Sequence, residues 1–111
     1  MIQVVWQKRG DALRALHMTG HTDVRSHRSK LNCAAISAIV QTSVLGLTDV
    51  LGIQPDYCFD ETGESRCILP NGLSDEQEAG AQVILRTLQK GLESIEMGHP
   101  GTLKILVQEE D

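Results

Sequence analysis

Residues 74–98 read SDEQEAGAQVILRTLQKGLESIEMG, and no other stretch of the chain states its structure so plainly. Ser74, Asp75, Glu76 and Gln77 form a capping box, with Ser at the N-cap, Gln at N3 and two carboxylates near the positive end of the helix dipole. Ala81, Ile84, Leu85, Leu88, Leu92 and Ile95 then recur at three- and four-residue steps and make one apolar stripe. Gly98-His99-Pro100 stops the helix. A helix with one apolar face must lay that face on another element.

Working outward from this helix, the flanking segments supply strands. Thr102 to Val107 is a final strand, and upstream Pro55 to Asp60 and Ser65 to Leu69 read as a hairpin through Glu61-Thr62-Gly63-Glu64. From Leu31 to Leu51 the pattern is helical again, with Ile36, Ile39, Val40, Ser43, Leu47, Val50 and Leu51 at helical steps. Gly46 is an internal cost to that helix, and Gly52 stands where a C-cap glycine belongs. Gly20 to Lys30 is polar and irregular, a loop. Ile2 to Gln7 and Leu13 to Met18 read as a first hairpin around Arg9-Gly10-Asp11. That triplet also matches a cell-adhesion motif, but in a chain with no export signal it is read as the turn. The order β-β-α-β-β-α-β predicts a single α+β domain over 1–111, a mostly antiparallel sheet packed with two amphipathic helices.

Composition narrows the function. The 111 residues fit one domain, and with 41% hydrophobic but only 3% aromatic residues the core must rest on Leu, Ile, Val and Ala. A formal net charge of −5 argues against general nucleic-acid affinity, which needs a basic surface to release phosphate counterions. No secretory signal and no run of apolar residues long enough to span a membrane is expected. Three cysteines, an odd number, point to a reducing compartment, and the cytoplasm is the expected location.

The chemistry-bearing residues are Gly20-His21 and Asn32-Cys33-Ala34-Ala35-Ile36-Ser37. His21 falls at a strand-to-loop junction and Cys33 at the expected start of a helix. Unpaired N–H groups and the dipole at such a start stabilise a thiolate. An imidazole can take the thiol proton and later protonate a leaving amine, while first-turn N–H groups can receive an oxyanion. Ser37 lies one turn beyond Cys33 on the same face, where it orients the reacting groups or is simply a small residue at a helix contact. Cys33-Ala34-Ala35 also reads as a tight helix contact, so spacing alone leaves the pair undecided.

The string Gly20-His21, then Cys33-Ala34-Ala35-Ile36-Ser37-Ala38, with Gln41-Thr42 and Gly46-Leu47 after it, resembles the ribosomal-processing cysteine protease (Prp) family. Ser74, Gly91-Leu92 and the ending Pro100, Leu103-Lys104 extend the resemblance over essentially the whole chain. It implies a homodimeric cysteine endopeptidase that removes a short N-terminal extension from large-subunit ribosomal protein number twenty-seven during ribosome assembly. His21 matches the family's catalytic histidine and Cys33 its nucleophile, with Gly20 and Ser37 in the same motif. The resemblance also implies that the loop between them covers the substrate cleft; here it carries Arg25, Arg28 and Lys30. Lys30 stands where the family usually has Asp, and the loop's usual glycines are absent. The alternative this leaves is a catalytically impaired ribosome-associated binding module of the same fold; a redox thiol protein using Cys33 without His21 is a third reading.

No cofactor is expected. His17, His21, His27 and Cys33 match no familiar zinc spacing, so no metal is expected either. Cys58 and Cys67 sit symmetrically about Thr62-Gly63, which predicts that they face each other across the second hairpin as two thiols. Arg25, His27, Arg28 and Lys30 form a basic cluster, either a solvated loop or a guide for an extended substrate or ribosomal RNA.

Overall fold

Alternation in the first strand sets the sheet's two faces. In the computed structural model, which describes residues 1–20, 27–60 and 64–110 (backbone alone at 27–30), β1 spans Ile2–Arg9. Ile2, Val4 and Trp6 turn inward, the last two with no exposed surface, and Gln3 turns out. Gly10-Asp11 makes the turn into β2 (Ala12–Thr19), which pairs antiparallel with Trp6 opposite Leu16 and Val4 opposite Met18. A bulge at Gln7/Lys8 changes the parity of β2, so Leu13 joins Leu16 and Met18 in the core.

Helix α1 (His27–Leu45) follows and runs into a π-helical turn at Gly46–Val50. Gly52, at φ +69°, ends it in the left-handed conformation expected of a C-cap glycine. Strands β3 (Asp56–Cys58) and β4 (Ser65–Ile68), helix α2 (Asp75–Gly98) and β5 (Leu103–Glu109) complete the chain. The five-stranded sheet has the order β3-β4-β2-β1-β5, parallel only between β1 and β5. Core residues of both helices and of the sheet's inner face form one cluster, a two-layer α+β domain.

The capping box at α2 is present in full: the Gln77 N–H donates to Ser74 Oγ at 3.1 Å, and the Ser74 N–H donates to Gln77 Oε1 at 3.1 Å. The helices meet through glycine. A Cβ on Gly80 would lie 2.7 Å from a Leu51 methyl, and one on Gly46 would lie 3.0 Å from Ile84 Cδ1. Gly46 therefore offsets its helix-propensity cost by letting α2 approach. Arg14, almost buried, reaches α2 with a fork to both Glu78 oxygens at 2.8 Å and to the Pro70 carbonyl at 2.9 Å.

Three expectations change. The segment expected as a loop up to Lys30 is helical from His27, because Arg and Lys are good helix formers even where a turn carries no apolar periodicity. The strand expected over Pro55–Asp60 shortens to Asp56–Cys58. Cys58 and Cys67 do not face each other: Cys58 is opposite Arg66 and Cys67 opposite Tyr57, one residue off symmetry. With a side-chain period of two, that slip sends the two thiols to opposite faces, and no disulfide forms. Burial, with the charge of Asp56 second, pushes the Cys67 thiol up to about 11.

Candidate active site

Gly20 lies at the end of the sheet where β1 and β5 begin and β2 ends. Gly20 closes β2 at φ +84°, and a Cβ there would lie 2.8 Å from the Met1 carbonyl oxygen. Both facts require glycine: the backbone is left-handed and packed against backbone. The next residue, Ile2, donates its N–H to the Thr102 carbonyl at 3.0 Å. Thr102 in turn meets α1, since Asn32 Nδ2 donates to Thr102 Oγ1 at 3.4 Å. The segment leading into His21 and the helical turn holding Cys33 are thus joined through Met1, Ile2 and Thr102.

Cys33 is half-buried and lies in the second turn of α1, not at its start. This corrects the electrostatic expectation. Only the first four N–H groups of a helix lack intrahelical partners, and the dipole's effect fades within the first turn. The N–H of Cys33 belongs to the helical ladder, so an oxyanion must find its donors elsewhere. Ser37, half-buried, remains one turn along on the same face. His21 and Arg25 lie outside the described residues; Arg28 and Lys30 lie in the first turn of α1.

The zinc alternative loses His17. His17 pairs with Val5 and Arg66 on the sheet's outer face, across the sheet from the layer that holds Cys33. Cys58 is exposed on that outer face too, and Cys67 is buried, so neither joins Cys33.

A small apolar hollow lies where β2 and β4 meet α1, lined by Leu16, Met18, Val40, Tyr57, Phe59 and Cys67 among others. Val40 stands two turns from Cys33 along α1, and Met18 is two residues before Gly20.

Three participants at this end were given no role in the sequence reading. Asn32 and Thr102 are buried polar residues, 9% and 8% exposed, yet in sequence they are an unremarkable neighbour of Cys33 and the first residue of an expected strand. Glu96 is the third part: its carboxylate accepts from the Gly101 N–H at 2.7 Å and the Leu103 N–H at 2.6 Å, one on each side of Thr102. The Leu103 and Gly101 donors hold the Glu96 carboxyl below the usual carboxylate range.

Comparison with known proteins agrees with this architecture. The family model described as cysteine protease Prp matches residues 1–104. Among solved structures, SMU.848 from Streptococcus mutans is similar at TM-score 0.84 and 19% identity, over 99% of this chain and 96% of its own. The S. aureus ribosomal processing protease Prp in complex with a substrate peptide is similar at TM-score 0.80 and 23% identity, over 97% of this chain and 100% of its own. The same protease with a covalently linked product peptide gives TM-score 0.81 and 24% identity, with the same coverage. At these identities the structural likeness speaks to the fold. No curated protein matches the chain in sequence.

Proposed function

This chain belongs to the cysteine protease Prp family, and from that membership we propose that it removes the N-terminal extension of large-subunit ribosomal protein number twenty-seven with Cys33 as nucleophile and His21 as its base. The observation that carries the reading is the meeting, at one end of the sheet, of the segment that ends in Gly20 and the α1 turn that holds Cys33.

In the proposed reaction, His21 takes the Cys33 proton and the thiolate attacks the scissile carbonyl. The C–N bond breaks as His21 protonates the leaving amine, and water then hydrolyses the thioester. Ser37 borders the thiol on its own helix face. The proposal gives the basic residues Arg25, Arg28 and Lys30 the task of guiding an extended peptide substrate. The proposal includes a homodimer in the cytoplasm. Its support on the surface is α1 itself, whose exposed face presents Leu31, Ala34, Ala35, Ala38 and Leu45 without a charge. A self-matching uncharged face meets no like-charge repulsion in a second copy.

Competitive alkylation tests the nucleophile. Exposure alone ranks exposed Cys58 above half-buried Cys33. The proposal requires the reverse: iodoacetamide modifies Cys33 first, and cleavage stops as that single site fills. Labelling of Cys58 first, with activity intact once Cys33 is modified, would overturn the assignment.

A further inference from the structure

Thr102 is a junction of four segments. Its carbonyl accepts the Ile2 N–H at 3.0 Å, its N–H donates to the His99 carbonyl at 3.3 Å, and its hydroxyl donates to that same carbonyl at 2.6 Å. The hydroxyl also accepts from Asn32 Nδ2. With its proton committed to His99, the Thr102 oxygen has a lone pair left for the Asn32 amide, so donor and acceptor roles close without conflict. The Glu96 carboxylate holds the N–H groups on both sides of Thr102, which fixes the hydroxyl in place.

Asn32 is out of character with its surroundings. From Leu31 to Thr48 the chain carries no charge, and Asn32 is the buried polar residue of that stretch, 9% exposed. A buried amide costs stability unless it is hydrogen-bonded, and an apolar residue would pack there more cheaply. Its neighbour in the chain is Cys33, and its partner's neighbours lead through Ile2 and Met1 to Gly20, the residue before His21.

We propose that Asn32 and Thr102 are positioning residues for the reaction, a tie that fixes the Cys33 turn of α1 against the strand end from which His21 departs. The inference rests on the reading of Cys33 and His21 as the working pair. Its mechanism is geometric: the tie acts by holding the thiol's helical turn against the strand end at Gly20, the residue before His21. A displacement of about 1 Å between reacting groups costs on the order of a hundredfold in rate. Neither Ser37 nor the apolar stripe of α1 supplies the same constraint, because the stripe permits the helix to slide along the sheet while a directional hydrogen bond does not.

The test compares Thr102→Val, Thr102→Ser and Asn32→Leu with the wild type in the full-length protein, with His21→Ala run alongside. Two rates are read: alkylation of Cys33 by iodoacetamide across pH, and cleavage of the ribosomal protein precursor. Thr102→Val and Asn32→Leu are expected to slow Cys33 alkylation at pH 7 about tenfold, shifting the profile toward that of His21→Ala, and to lower kcat about 10- to 100-fold with KM within twofold. Thr102→Ser, which keeps the hydroxyl, is expected to stay within twofold of wild type. The double variant Asn32→Leu/Thr102→Val is expected to lose no more than either single one, the mark of one shared tie. A merely structural role gives the opposite result: Tm falls while the alkylation profile and kcat of the folded protein hold, or Ser and Val lose alike. Because alkylation needs no substrate, an error in the assigned precursor leaves the tie readable, and His21→Ala reports on the pair itself.

Discussion

The two helices have nearly opposite designs. Helix α2 has a complete capping box, three acidic residues in its first turn and a buried stripe of Ala81, Leu85, Leu88 and Leu92, with charge on its other side. Helix α1 has no acidic residue in its first turn and no charge from Leu31 to Thr48, and it is apolar on most of its circumference. Ile36, Val40, Val44 and Leu47 face the core, yet Leu31 and Leu45 are 57% and 56% exposed. By length and composition alone Leu31–Val50 would pass for a membrane span, but its inner residues belong to the core shared with the sheet and α2. The contrast lies in how the apolar residues are spread: α2 gathers most of its own into one buried stripe opposite charge, while α1 carries them around an uncharged circumference.

Cys33→Ala should separate the helices most sharply. Cleavage should fall at least about 10³-fold, while the urea midpoint moves little, because a half-buried thiol contributes modest packing. Its counterpart in α2, Leu92→Ala, should cost about 2–5 kcal/mol of stability through the cavity it leaves. Activity per folded molecule should be unchanged, as read by denaturant unfolding beside kcat. An α2 core variant that loses kcat while folded would blur the division.

Gly20→Ala sits between the two cases. A left-handed φ and a 2.8 Å approach to the Met1 carbonyl predict a loss of about 1–3 kcal/mol, together with a slower Cys33 reaction if that strand end carries the imidazole. Smaller again is the effect of pH on the Glu96 clamp. Its carboxyl is held below the usual range, so its contribution is present above about pH 4.3 and is lost as pH falls through the lowered folded value. Glu96→Gln should therefore lower Tm at pH 7, and the gap to wild type should narrow under acid; a gap that stays constant would contradict the clamp. The smallest expected effect on stability belongs to the exposed face of α1. Leu45→Lys should change it by no more than about 0.5 kcal/mol, yet shift the sedimentation profile toward monomer.

The contrast between the helices also explains what could be read in advance. Element order, the first hairpin and the α2 capping box were legible because each rests on local chemistry: alternation, a Gly-Asp turn, a Ser and a Gln three apart. The start of α1 was not, since His27-Arg28-Ser29-Lys30 has no apolar periodicity, and helical propensity alone leaves only a weak trace. That error placed Cys33 at a helix start and attached a dipole argument to it that the structure removes. The pairing of Cys58 with Arg66 was hidden for another reason: strand register depends on which face meets the core, and a loop's midpoint does not fix it. Family resemblance supplied the motif residues but not Asn32 and Thr102, whose contact spans 70 residues of sequence.

The most direct measurement is the product mass after incubating the protein with the full-length precursor of the ribosomal protein from the same organism. The account predicts a single shortened product from the wild type, formed by loss of the N-terminal extension, and the unshortened precursor alone from Cys33→Ala. An intact precursor from both proteins, or an identical product from both, would contradict it.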